Sequence, residues 1–356
     1  MEVKFGILGY GFMGHNHVKT VLKLQEAGRA KLIAICDHDL KRFADAPEGI
    51  KQYHSMDEMF KDDEINTVII AINNHVHKEA VIKAARAGKH ILCEKPVAMS
   101  VEDFDEMMSV VEECNVKFTV HQQRRWDKDF RIMKDSYDKQ QVGDVYTVQS
   151  KLYGINGNMH DWHVYKKYGG GMLYDWGVHL IDQMLWMIDS KITSVFADLR
   201  NVINFEVDDY FKILLRFENN IIGEIELGTY FLEDKENWFE RHWFIGGNKG
   251  SAYADGFFPQ GKLCTTTRLL QNVPGKITMS AAGPTRSFGP PQPGVLLTED
   301  LPDQDVNHDM FFDNFLEALN GNEEFIVTKE QVRRVLCLME AVRKSAELGQ
   351  SVPFES

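Results

Sequence analysis

Four groups of residues in this chain could do chemistry together, and all are of kinds that move a proton or a hydride. Asp175 and His179 stand four residues apart behind Gly169-Gly170-Gly171, a spacing that puts carboxylate and imidazole on one face of a helix. Lys95 is bracketed by Glu94 and Pro96. Gly9-Tyr10-Gly11-Phe12-Met13-Gly14 has glycines spaced for a tight turn and for close approach of a pyrophosphate to the backbone. His160-Asp161-Trp162-His163 offers imidazoles beside an apolar ring face. Oxidising an alcohol needs a base that titrates near neutrality, which histidine supplies, and a cation for the developing alkoxide, which lysine supplies. The set fits hydride transfer between a nicotinamide and a secondary hydroxyl.

Elements must bring these groups together. Strand-like runs fall at 4–8, 31–36, 67–72, 90–93 and 117–121, with helical stretches at about 14–27, 56–61, 78–87 and 101–114. Short Val/Ile-rich strands alternating with helices predict a parallel sheet buried on both faces. The glycine turn follows the first strand, and Asp37 ends the second, 23 residues past Gly14. That is near the distance at which an acid meets the adenosine ribose. An ionised Asp37 repels a 2′-phosphate, so NAD is expected over NADP, although His38, Lys41 and Arg42 stand close by. Lys95 falls at the carboxyl end of a strand, where ligands bind in such sheets. His15 and His17 open the first helix and could meet cofactor or solvent.

Beyond residue 121 the texture changes. Runs at 145–153, 192–200, 209–217, 221–230, 242–246 and 250–253, separated by turn residues, predict a mostly antiparallel sheet. The expectation is an α/β Rossmann domain over 1–121 and an α+β domain with a large open sheet over 122–356. Helices at 309–319 and 329–348 close the chain, the second stopped by Gly349. The segment 255–307 holds seven of the ten prolines and is expected to be an irregular arm or lid, packed through Phe257, Phe258 and Phe288.

Composition narrows the classes. The net charge of −13 leaves neither half basic, which argues against a nucleic-acid partner. No apolar run is long enough for a membrane span. Five scattered cysteines without a Cys-x-x-Cys pair argue against a disulfide framework or cysteine zinc site and favour a reduced, cytoplasmic setting. The pair His160 and His163 lacks further ligands at a zinc spacing, so no metal is expected and contacts to substrate hydroxyls are. An antiparallel sheet that leaves an apolar face bare predicts a homo-oligomer, between dimer and hexamer.

Taken together, Gly9–Gly14, Ala71-Ile72-Asn73-Asn74-His75-Val76-His77, Glu94-Lys95-Pro96, Gln123-Arg124-Arg125-Trp126 and Gly170 through Asp175-x-Gly177-x-His179-x-x-Asp182 resemble the glucose–fructose oxidoreductase / inositol dehydrogenase / rhizopine catabolism (Gfo/Idh/MocA) family over nearly the whole length. The resemblance implies Lys95 shared between cofactor and substrate, His179 as acid/base and Asp175 positioning substrate and imidazole. It places Ile72, Asn73, Asn74, His77, Glu94 and Gln123 with the glycine turn and Asp37 around the cofactor. Arg124 and Trp126 join His160, Trp162 and His163 on the substrate side. Asn73 stands where the family often has proline, and Gln123 where asparagine is common. The family's substrates are mostly sugars and cyclitols, and the aromatic stretch 159–168 suits a pyranose with a bulky aglycone, oxidised at the ring 3-hydroxyl. Two alternatives stay open: a ketone or imine reductase of the same family, and a nicotinamide-binding sensor without catalysis.

Overall fold

Six short runs of β-branched and small apolar residues build the first sheet. In the computed structural model, which describes residues 2–154, 159–230, 239–271, 276–287, 289 and 293–354, these are β1 (Val3–Leu8), β2 (Ala30–Cys36), β3 (Lys51–Tyr53), β4 (Thr67–Ile70), β5 (His90–Cys93) and β6 (Phe118–Val120). They pair in the order β3-β2-β1-β4-β5-β6, all parallel. The order reverses between β1 and β4, so a crevice opens above their carboxyl ends, the place where ligands bind in open α/β sheets. Helices α1 (Phe12–Glu26), α2 (Met56–Met59), α3 (His77–Arg86) and α4 (Val101–Glu113) connect the strands. The Ser100 hydroxyl accepts from the Asp103 N–H at 3.1 Å and starts α4.

After α5 (Lys128–Asp138) and β7 (Val145–Gly154), a single π-helical turn over Leu173–Gly177 leads into α6 (Val178–Met187). There follow β8 (Ile192–Arg200), β9 (Tyr210–Phe217), β10 (Ile222–Gly228), β11 (Phe239–Gly247), β12 (Gly250–Asp255), β13 (Gln260–Thr266), β14 (Lys276–Ser280), β15 (Gly283–Ser287) and β16 (Leu296–Asp300). Then come α7 (Asp309–Asn320), α8 (Lys329–Leu348) and the short β17 (Val352–Pro353). Nine strands form one sheet in the order β16-β13-β12-β11-β7-β10-β9-β8-β17, antiparallel throughout except for the parallel pair β7·β10. Alternation sorts its faces: Phe211, Ile213, Leu215, Ile225, Leu227, Trp243 and Ile245 are buried. The intervening positions carry charge, with Lys212 bridging Glu224 and Glu226 and the Tyr210 hydroxyl donating to Glu226.

The segment 255–307 departs from the expected irregular arm. β13 and β16 extend the large sheet, and β14 with β15 forms a separate two-stranded ribbon. Pro259 sits in a turn and Pro284 in the isolated ribbon, where no central ladder needs its N–H. Phe257 packs inward, Phe258 is largely exposed, and Phe288 lies outside the described residues. Among the described residues no helix is long and apolar enough to cross a membrane.

The closing helices return to the first sheet. Phe315 of α7 stacks on Phe5 of β1, and the Thr119 hydroxyl of β6 donates to the Val327 carbonyl at 2.8 Å. Arg125 fastens elements of the second domain to one another: its guanidinium grips both oxygens of Asp182 on α6, at 2.7 and 2.6 Å. Its remaining N–H groups reach the Ile326 carbonyl and Gln331 on α8. Both partners are almost wholly buried, so removing one strands the other's charge in a dry interior. Arg125→Ala is expected to lower the unfolding free energy by about 3–5 kcal/mol in a urea titration.

Candidate active site

The glycine turn is built as a dinucleotide needs it. A β-carbon on Gly9, whose φ is +95°, would stand 2.2 Å from the Ala71 carbonyl, and one on Gly14 would stand 2.0 Å from the Gly9 carbonyl. Those two glycines let the turn close and α1 pack. A β-carbon on Gly11 would meet only the tip of the Arg42 side chain, so the face over Gly11 is bare backbone at a helix N-terminus, a cradle that fits a pyrophosphate. Asp37 accepts from the Tyr10 N–H at 2.8 Å and from the Asp39 N–H at 2.9 Å, which anchors its carboxylate beside the turn. Tyr10 itself is buried and stacks on His15, while Phe12 is exposed at the mouth. Residues Gly9–Gly14 and Asp37 are thus the part of the site that would hold NAD.

Lys95 lies two residues past the end of β5 and is joined to Pro96 by a cis peptide bond. Its ammonium donates to Asp175 Oδ1 at 2.8 Å and to the Asp175 carbonyl at 2.9 Å. Glu94 points away, into a buried cluster. Its Oε1 accepts from His17 at 2.7 Å and from His121 at 2.8 Å, and Oε2 accepts from the Lys95 N–H at 3.2 Å. Burial pushes the Glu94 carboxyl up, but the two imidazoles outweigh it and hold the group ionised, well below its ordinary range. His17, Glu94 and His121 have metal-ligand geometry, yet they already satisfy one another, and a cation would have to displace both imidazole protons.

The three glycines before Asp175 are dictated by contact on every side. β-Carbons would collide with Met99 Sδ at Gly169, with the His163 carbonyl at Gly170 and with the Asp208 carboxylate at Gly171. Gly169 and Gly171 also have φ of +78° and +106°. The chain then makes its π turn, a feature frequent at functional sites, and delivers Asp175 and His179 to one buried pocket. His179 Nδ1 donates to Gln122 Oε1 at 2.9 Å, which fixes the proton on Nδ1 and leaves Nε2 as the acceptor. Burial holds the imidazole well below its usual range, and the Lys95 ammonium and Arg124 guanidinium reinforce this. His179 is therefore an unprotonated base at neutral pH.

On the open side, the Arg124 guanidinium lies 4.0 Å above the Trp176 ring and 5.4 Å from Phe257, while Nη1 donates to Asp127. Trp162 stacks on His163 at 3.7 Å. Burial holds His163 below its usual range, opposed by the nearby Asp175 carboxylate. His160 is exposed and pairs with Asp161. Arg124, Trp162, His163, Asp175, Lys95 and His179 thus converge.

Several expected contacts are placed elsewhere. His77 is fully buried with both ring nitrogens against the carbonyls of Pro96 and Ile72, so it secures the backbone and has no nitrogen to offer a cofactor. Trp126 is buried and stands edge-on to Phe311. Asn74 donates to the Gly169 carbonyl at 3.0 Å, stitching the Rossmann edge to the glycine run, while Asn73 and Ile72 keep the preceding turn. Gln123 Oε1 is buried with no hydrogen-bond partner among the described residues. Gln122, His121, Trp176 and Phe257 escaped the sequence reading. Only their proximity to Gln123 or Asp175 in sequence marked three of them, and Phe257 carried no signal for this pocket.

Residues 3–122 match an oxidoreductase family with an NAD-binding Rossmann fold, and residues 130–253 match the GFO/IDH/MocA C-terminal domain. The chain is similar to an NAD-binding protein of Listeria innocua, with 35% identity, 99% of each chain covered and a TM-score of 0.89. It is 28% identical to an uncharacterized oxidoreductase of Schizosaccharomyces pombe over 85% of both chains. It is also 23% identical to myo-inositol 2-dehydrogenase of Thermotoga maritima over 99% of both.

The neutral Gln122 leaves the His179 cation unsupported. Gln122→Glu places a carboxylate at the same nitrogen and is expected to raise the imidazole pKa. Turnover that needs the unprotonated imidazole is lost as pH falls through that pKa, so the acid limb of kcat/KM in the oxidative direction should move to higher pH. A pH–rate profile of wild type and variant checks this.

Proposed function

We propose, from the premise that this chain belongs to the Gfo/Idh/MocA family of oxidoreductases, that it oxidises a secondary hydroxyl of a sugar, glycoside or cyclitol to the ketone with NAD. The observation that carries this reading is Lys95, from the cofactor sheet, bonded to Asp175 beside an unprotonated His179 whose Nε2 makes no hydrogen bond among the described residues.

A dinucleotide whose pyrophosphate is held by the Gly9–Gly14 turn would supply the hydride acceptor. The rest is done by side chains. Lys95 leaves one of its bonds to Asp175 and donates to the substrate oxygen, so charge that develops there meets an ammonium in a dry pocket. His179 Nε2 takes the hydroxyl proton while Nδ1 stays bonded to Gln122. Asp175 holds the Lys95 ammonium and accepts from a neighbouring hydroxyl, which a polyol offers and a simple alcohol does not. Trp162, Trp176 and Phe257 give a ring its apolar walls, in keeping with a glycoside oxidised at the 3-hydroxyl. The similarity to a myo-inositol 2-dehydrogenase supports the polyol class.

Reduced-nicotinamide absorbance with a panel of cyclitols, sugars and glycosides tests the reading. NADH should form with a polyol, and Lys95→Ala and His179→Ala should each lose roughly 10²–10⁴ in turnover while the cofactor still binds. Near wild-type turnover by His179→Ala would sink the mechanism. We also read the outer face of the nine-stranded sheet, where Tyr146, Phe196, Ile222 and Tyr253 are exposed, as a contact between copies. Light scattering at micromolar concentration should return at least a dimer mass.

A further inference from the structure

Arg42 occupies a place in the cofactor cleft that the hydroxyl-oxidation chemistry does not use. It lies on the 3₁₀ turn Leu40–Asp45, which Asp39 starts by accepting from the Lys41 N–H. Its Nη1 reaches back to Asp37 Oδ2 at 3.3 Å. The same nitrogen would stand 2.7 Å from a β-carbon on Gly11, with no other atom nearer than the guanidinium carbon. One cation therefore spans the two places that an adenine dinucleotide must touch, the bare glycine of the pyrophosphate turn and the carboxylate of the ribose site. Its side chain is about half exposed, 45%, so it can swing without disturbing the core.

This changes the electrostatics of Asp37. A lone carboxylate at the ribose site accepts from the 2′-hydroxyl and repels a 2′-phosphate. Here both carboxylate oxygens are already anchored by backbone N–H groups of Tyr10 and Asp39, and the guanidinium beside them offsets the charge. The planar fork of an arginine also pairs with phosphate oxygens through two parallel bonds, which a lysine at the same point cannot reproduce. Lys41 is exposed close by in sequence and adds positive charge to that rim.

We propose that Arg42 is a specificity-determining residue of the cofactor site, which turns from Asp37 to a 2′-phosphate and so gives this NAD-binding site a second cofactor, NADP. NAD is bound with Arg42 resting on Asp37, and NADP with Arg42 on the phosphate. The inference rests on the Gly9–Gly14 turn holding the dinucleotide and is independent of the identity of the substrate.

Binding in the absence of substrate tests it. Titrations of the full chain with NADH and with NADPH, followed by nicotinamide fluorescence, should give two dissociation constants within about a hundredfold of each other in the wild type. Arg42→Ala should weaken NADPH about tenfold or more while changing NADH by less than about threefold, and Arg42→Lys should recover only part of the loss. Asp37→Ala should tighten NADPH and weaken NADH. Equal weakening of both cofactors by Arg42→Ala, no effect on either, or a wild type that does not bind NADPH would each overturn the proposal. A chain that binds both cofactors as expected but turns over no polyol would leave this inference standing and defeat the hydroxyl-oxidation reading instead.

Discussion

The bond between the Lys95 ammonium and Asp175 is the constraint on which the rest depends. Lys95 comes from the end of β5 and Asp175 from the π turn before α6, so neither domain holds the pair alone. Both groups are largely buried, and a buried cation without its carboxylate is costly. The two halves must therefore be held in register, and much of the structure does this. Asn74 binds the Gly169 carbonyl, and the Tyr174 hydroxyl binds the Met99 carbonyl at 2.7 Å.

Much of this was legible in the sequence, and what was missed has a physical pattern. Backbone requirements leave local traces: Gly9, Gly14, Gly169 and Gly171 are written as glycine because of φ or contact, and the strands of both sheets follow from alternation and β-branched runs. Roles set by distant partners leave none. His77 and Trp126 sit inside motifs that point to a ligand, yet their side chains turn to carbonyls and to Phe311, because the motif also has to hold itself together. Proline content over 255–307 spoke against strands, yet strands form there with Pro259 in a turn and Pro284 in a ribbon that needs few ladder bonds.

The cluster of His17, Glu94 and His121 shows the same division of labour. Glu94 neighbours Lys95 in sequence but faces the opposite way, toward His17 and His121, whose rings pack against Phe311 and Phe312 of α7. Its carboxylate receives the Lys95 backbone N–H, so α1, β6 and α7 all bear on where that residue's backbone lies. An ionised group can remain in such a place because three N–H donors surround it.

The place of β7 governs the order in which the molecule can assemble on a ribosome. Residues 145–154 are the middle of the large sheet, but both neighbours, 222–228 and 239–247, are made about seventy to a hundred residues later. The first sheet can pair by residue 120, yet the cover over its β6 edge comes from α8, and residues 352–353 are themselves the edge strand that pairs with β8 in the second sheet. A nascent chain thus carries an open strand edge and an uncovered apolar face until those segments are made, the condition in which chains pair wrongly with one another.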